Sequence, residues 1–376
     1  RLTDVQSATF ERFYTTFKQL SHYILFMKNN WWKILGVLLI IYSFIVGMLV
    51  PLKTGIETAM PQSAKTGETV TLQVTGYNAN YADPAAELRA WLKMDSVTAI
   101  QAQELKAIGH NQLAATFTLP AFLPTSRKVQ DFSLILDSKV DGASVLPQAL
   151  FVTQDSIKEA IGIATFQNNE IKNLHRLDGV TFPYRNILYE TIRNTYFHVP
   201  LWFGMLFIFV AAMIFSIRYL RKGDPIDDIK AAALTQVGLL YGILGLITGA
   251  IWANWTWGEP WSGDVKQNMT AIALLVYFAY FILRGSFDDD QKRARISAVY
   301  NIFAFAALIP LIYVVPRLTA SLHPGAGGNP AFGSGDLDNT MRMVFYPAII
   351  GWTLFGAWIA QVSGRMDIVK HKLLEQ

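Results

Sequence analysis

Long apolar stretches alternate along the chain with short polar connections, and their lengths decide the architecture. A helix that crosses a bilayer needs ~20 mostly apolar residues. Six segments come close, at 32–51, 199–217, 231–253, 269–283, 298–315 and 343–362. The fourth is the shortest and is expected to draw on its flank at 265–268. Between the first two spans the pattern switches to period two. Thr69-Val70-Thr71-Leu72-Gln73-Val74, Ala115-Thr116-Phe117-Thr118-Leu119 and Phe132-Ser133-Leu134-Ile135-Leu136 alternate as half-buried strands do. Asn78-Ala79-Asn80, Asp83-Pro84, Gly109-His110-Asn111 and Asp141-Gly142 punctuate them as turns. Short strands at this spacing over residues 53–155 predict a small β-sandwich of immunoglobulin-like size.

Composition sharpens this picture. Of 376 residues, 52% are hydrophobic and 16% charged, against ~25% charged in an ordinary soluble domain. The absence of cysteine excludes disulfides, iron–sulfur clusters, thiolate zinc, covalent thioether attachment of a haem and thiol relays. The net charge of +4 does not point to nucleic acid, because the basic residues cluster beside apolar runs. No cleaved signal peptide is expected, since the first apolar run starts near residue 31 without a small-residue cleavage site. The chain opens on Arg1, so its natural start is expected a few residues upstream.

Lysine and arginine in short loops orient the spans. Arg218, Arg221, Lys222 and Lys230 follow span two; Arg284, Lys292, Arg293 and Arg295 follow span four. Arg365, Lys370 and Lys372 lie in the tail, and Lys18, Lys28 and Lys33 near the start. The opposite loops hold only Lys266, and Arg317 with Arg342. Both termini are expected inside, and the β domain outside. The predicted fold class is an integral membrane, all-α six-helix transmembrane bundle with an inserted external β-sandwich domain.

The expected organisation is a segment 1–30, a first span 31–52, the sandwich 53–155, an outer membrane-surface segment 156–197, a five-helix domain 198–362 and an inner tail 363–376. Phe10, Phe13, Tyr14, Phe17, Leu20 and Ile24 make the first segment an amphipathic helix. It lies either on the inner lipid surface or against the protein's own inner face.

Candidate chemistry gathers on the outer side. His198 opens span two in Phe197-His198-Val199-Pro200, and His323 sits in Leu322-His323-Pro324-Gly325 between spans five and six. Between them runs a tryptophan-dense loop at 252–268, with Trp252, Trp255, Trp257 and Trp261 followed by Asp264. Two imidazoles can fill both axial positions of a haem iron, and flat indoles can stack on its ring. Propionates would need cations, for which Arg193 and Lys266 are the candidates. Asp264 can bond indole N–H groups or cap the helix of span four, and capping is expected. A single boundary histidine is often only an interfacial polar group, and Trp31, Trp32 and Trp352 need be no more than membrane anchors. His175, in the charged stretch Lys172-Asn173-Leu174-His175-Arg176, is the reserve ligand. His22 and His371 fall inside and His110 in a β-turn, and Asp288-Asp289-Asp290 reads as a solvated loop.

These residues resemble the CcmC/CcsA family, the WWD-loop haem-handling proteins of cytochrome c biogenesis. The likeness runs from Arg193 to Val362. It rests on Arg193 through Pro200 matching R-x4-H-V-P, on Leu322-His323-Pro324-Gly325 matching L-H-x-G, and on Trp257-Gly258, Trp261 and Asp264 falling on the W-G-x-W-W-x-W-D loop. The other two tryptophans of that loop are replaced here by Pro260 and Gly263. The six-span plan is similar to CcmC, whose usual form lacks the β insert. The resemblance implies a bacterial inner-membrane haem transporter and assembly factor, not an enzyme. It implies non-covalent haem b on His198 and His323, handed to a CcmE-like haem chaperone or to other cytochrome c maturation membrane subunits. The lipid membrane is its other partner, and no nucleic acid is expected. Two alternatives stay open: a bis-histidine haem b electron-transfer subunit, and a membrane-anchored sensor or scaffold whose β domain binds the ligand.

Overall fold

The computed structural model describes residues 30–177, 179–186, 188–323 and 337–374. The expected amphipathic segment falls, but for residue 30, outside the described residues, as do Pro324 and Gly325. The chain divides into two units: Val50–Ile192, and the residues up to Leu49 together with those from Arg193 onward.

Among the described residues the first of these units holds nine strands in two sheets, a sandwich as the alternating pattern predicts. One sheet runs β1 (Gly55–Met60), β3 (Thr69–Tyr77), β7 (Gln112–Thr118), β6 (Glu104–Gly109). The other runs β2 (Ser63–Lys65), β9 (Gly142–Thr153), β8 (Val129–Ser138), β4 (Arg89–Lys93), β5 (Ala99–Gln101). All pairings are antiparallel except β2 with β9. Period two explains the register. Val70, Leu72 and Val74 of β3 face Phe117, Ala115 and Leu113 of β7, and all six are buried. Thr69 and Thr71 bond Thr118 and Thr116 across the other face at 3.1 and 3.0 Å.

Strand β8 breaks the pattern, because residues 134–138 are buried in succession. A strap at 168–176 covers its second face. Asn169 N–H donates to Ala99 O and Asn168 Oδ1 accepts from Ala99 N–H, both at 2.9 Å. Ile171 packs on Trp91, Ala99 and Ile135. Part of the segment expected along a membrane surface is thus stitched to β4, β5 and β8. A short helix α2 (Glu159–Thr165) precedes the strap.

The second unit is helical. Among the described residues six helices are long and apolar enough to cross a membrane, and the protein is a multi-pass membrane protein. They are α1 (Asn30–Leu49), α3 (His198–Lys222, preceded by a 3-10 helix Tyr189–Tyr196), α4 (Pro225–Trp257), α5 (Val265–Gly285), α6 (Asp290–Ile309) and α8 (Asn339–Leu374). A π-helical turn Pro310–Val314 and a short α7 (Val315–Leu318) extend α6. Aspartates cap the starts of four helices: Asp224, Asp264, Asp289 and Asp338 each accept a backbone N–H in the first turn. α3 packs against α4, α6 and α8.

Buried polar groups tie these helices together. The Asn301 amide on α6 donates to Ser216 Oγ on α3 and Thr235 Oγ1 on α4, both at 3.0 Å. Where α4 begins, Arg284 grips Asp228 bidentately at 2.8 and 2.6 Å, and Arg218 reaches Asp227 at 3.2 Å. Such pairing is what makes charge tolerable at the edge of an apolar bundle.

The tryptophan-dense stretch departs from expectation. It was predicted as a loop from Trp252, yet α4 runs on to Trp257, so three of its tryptophans are helical and only 258–264 is a loop. Nothing breaks the helix before Gly258, which takes φ +86° and closes α4 by donating its N–H to Asn254 O.

Candidate functional site

The Gly258–Asp264 loop is built to place one carboxylate. Gln267 on the first turn of α5 reaches back to it, accepting from the Ser262 backbone N–H at 3.0 Å and donating to Pro260 O at 3.2 Å. Asn268 donates to Gly263 O at 2.8 Å and accepts the Trp261 indole N–H at 3.2 Å. Gly263, at φ +70°, turns the chain so that Asp264 caps α5 through the Lys266 N–H at 2.8 Å.

Asp264 does more than cap. Its Oδ1 meets His323 Nδ1 at 2.9 Å and accepts the Ser321 hydroxyl at 3.1 Å, while Oδ2 accepts the Leu322 N–H at 2.8 Å. The side chain is 2% exposed and that of His323 18%. Burial alone would raise this carboxyl. The N–H donors of Leu322 and Lys266, the Ser321 hydroxyl and His323 instead hold it below the usual carboxylate range. Burial pushes the His323 imidazole below its ordinary value and Lys266 acts the same way, against the pull of Asp264. The ring is therefore neutral near pH 7, with its Nδ1–H donating to the carboxylate and its Nε2 carrying the lone pair. Among the described residues no hydrogen-bond partner reaches Nε2. Trp257 stands edge-on to this imidazole at 4.7 Å, Trp252 lies tilted at 5.9 Å, and the two indoles meet at 5.0 Å.

His198 is the first residue of α3 and is held differently. Its Nδ1 faces Thr248 Oγ1 on α4 at 3.0 Å, and its Nε2 accepts the Trp202 indole N–H at 3.1 Å. A Cβ at Gly249 would lie 2.8 Å from His198 Cε1, so the imidazole rests on bare α4 backbone. The two imidazoles are close enough to interact electrostatically.

The other predicted residues divide. Trp255 is 77% exposed and Trp261 41%, each without a ring contact to either histidine among the described residues. Arg193 donates to Gly47 O on α1 at 2.8 Å, a contact that ties the start of α3 to the first span. Lys266 lies close enough to Asp264 and Arg317 to interact with both charges. His175 belongs to the other unit, where its Nδ1 meets Asp137 at 2.8 Å. Thr248, Trp202 and Ser321 were not foreseen. The four-residue spacing of His198 and Trp202 on one helix was the available signal.

Comparison with known proteins completes the description. The profile of the family described as heme exporter protein C matches residues 181–376, just over half of the chain. The chain belongs to the CcmC family. The heme exporter protein C of Bradyrhizobium diazoefficiens is 25% identical over 183 residues, covering 49% of this chain and 69% of that protein. That of Paracoccus denitrificans is 24% identical over 183 residues, covering 49% and 76%. A cytochrome c biogenesis protein CcsA of Parasynechococcus marenigrum is 37% identical over 91 residues, 24% of this chain and 29% of its own length. The family match takes in α3 to α8 with both histidines, and all nine strands precede it.

Proposed function

We propose that this CcmC-type bundle binds haem b non-covalently between His198 and His323 and hands it to a CcmE-like haem chaperone during cytochrome c maturation. The observation that carries the reading is the seat of His323: a buried carboxylate fixes its tautomer, two indoles wall it, and no described residue bonds its Nε2. Trp202 and Thr248 fix the same Nδ1–H tautomer in His198. Carboxylate and hydroxyl partners of this kind orient metal-binding imidazoles and raise their basicity. Among the described residues no three His, Asp or Glu side chains gather around a bare ion. Two imidazoles alone suit an iron that brings its own four ring nitrogens. Trp252 and Trp257 supply apolar faces for the macrocycle, and Lys266 with Arg317 supplies positive charge for its propionates. The lysine and arginine asymmetry supports placing the histidines, the indoles and the β domain on the outer side, with both termini inside. The role here is that of a transporter and assembly factor.

Transfer tests the reading. Purified protein loaded with haem is mixed with a purified haem chaperone of the CcmE type, and the absorbance of each is followed after separation. The expected result is movement of haem to the chaperone. Haem that stays in place and instead cycles with added quinol would overturn delivery in favour of electron transfer.

A further inference from the structure

The two histidines differ in one respect that bears on release. Among the described residues nothing bonds His323 Nε2, whereas the Nε2 of His198 is already occupied by the Trp202 indole N–H at 3.1 Å. We propose that Trp202 is a displaceable guard on His198: it holds the Nε2 lone pair when no iron does, competes with the cargo for it, and so favours hand-off. This rests on the reading of His198 as an iron ligand.

The geometry leaves one assignment of protons. An indole nitrogen donates and cannot accept, so Nε2 must be the acceptor. Thr248 donates its own hydroxyl hydrogen to the carbonyls of Leu244 and Gly245, at 2.9 and 3.1 Å, so its oxygen can only accept from His198 Nδ1–H. Both partners thus demand the tautomer that a metal at Nε2 would need. The contact is local and ready-made. Trp202 follows His198 by one helical turn, and helical side chains lean toward the N-terminus, which brings the indole back over the imidazole. The rings meet edge to face at 5.9 Å and 79°. α4 makes room for the pair through two glycines one turn apart. A Cβ at Gly245 would stand 2.7 Å from the Trp202 ring, and one at Gly249 would stand 2.8 Å from His198.

The consequence is an asymmetric hold. A ligand meets no competitor at His323 among the described residues and must displace a hydrogen bond at His198. When the iron leaves, the freed lone pair regains a donor instead of remaining buried without one, which lowers the cost of breaking that bond. Trp202 is a positioning residue in this scheme, since its effect passes through His198.

Trp202→Phe keeps the ring and removes the N–H. Gly245→Ala leaves Trp202 in place and pushes its indole aside, so it tests the same contact if the first variant does not fold. Both are judged on protein that elutes and melts as wild type. Without haem, carbethoxylation of His198 by diethyl pyrocarbonate, read by peptide mass spectrometry, should be about fivefold faster in either variant than in wild type. With haem, transfer to apomyoglobin should be about fivefold slower. Equal His198 reactivity in folded wild type and variants would overturn the guard. A haem spectrum unchanged in His198→Ala, with His198 still protected in wild type, would remove the ligand reading and leave the Trp202 contact standing.

Discussion

An aspartate–histidine pair occurs in each unit of the molecule, and the two pairs differ in what surrounds them. In the β domain Asp137 meets His175 Nδ1 at 2.8 Å; in the bundle Asp264 meets His323 Nδ1 at 2.9 Å. Each carboxylate also accepts a backbone N–H from the histidine's own segment, His175 at 2.7 Å and Leu322 at 2.8 Å. The difference lies in the remaining partners. Asp137 is wholly buried and takes the Arg89 guanidinium through Nε and Nη2 at 3.1 and 2.5 Å, while Arg89 also donates to the strap carbonyls of Lys172 and Asn173. That pair is a clasp, closing the strap onto β4 and β8. Among the described residues no guanidinium bonds Asp264; it is satisfied by a helix N-terminus and a hydroxyl, and its histidine faces two indoles. A carboxylate can fix an imidazole in either setting. On the proposed function, the aromatic walls and an Nε2 that no described residue reaches make one of the two a receptor.

Seven substitutions break or sharpen this contrast. The largest effect is expected from His323→Ala, which should lower haem retention by more than the ~100-fold upper range of changes behind a ligand. His175→Ala should leave retention unchanged, and equilibrium titration with haem compares the two. Next comes Asp137→Asn, which leaves the Arg89 charge without its partner and should cost the β domain about 3 kcal/mol with haem binding intact. Thermal unfolding of the full chain reads this loss. The effect should depend on pH. The folded Asp137 carboxyl sits below its ordinary value: burial opposes this, but Arg89 and His175 prevail. Its contribution is therefore full above about pH 4 and fades as the pH falls through the folded value, where wild type and Asp137→Asn should converge. Asp264→Asn should cost about 10–100-fold in haem affinity, because the Nδ1 proton of His323 loses its carboxylate. The smallest effects belong to the indoles. Trp252→Ala and Trp257→Ala should each weaken haem binding about fivefold, whereas Trp255→Ala, already exposed to the surroundings, should match wild type.

Much of this contrast was legible in the sequence, and the illegible part has a physical reason. The spans and strands announce themselves through period and length, which is why β3, β7 and β8 and all six long helices fall where the apolar pattern puts them. His198, His323 and Asp264 stood out by their local context. Their partners did not, because Asp264 and His323 are 59 residues apart and Thr248 and His198 are 50 apart. Hydrogen bonds at that separation leave no trace in periodicity. The strap on β8 was hidden for the same reason: Asp137 and His175 are 38 positions apart. The end of α4 was misread because tryptophan density suggests an interfacial loop, while the backbone obeys the first residue able to adopt a left-handed cap, Gly258.

We propose His198 and His323 as the two axial ligands. Low-temperature electron paramagnetic resonance and absorption spectra of the haem-loaded protein test it most directly, in wild type and in the His198→Ala/His323→Ala double variant. Wild type should give a low-spin bis-imidazole signal, and the double variant should lose both the signal and nearly all of its haem. The same low-spin signal in a folded double variant would contradict the assignment.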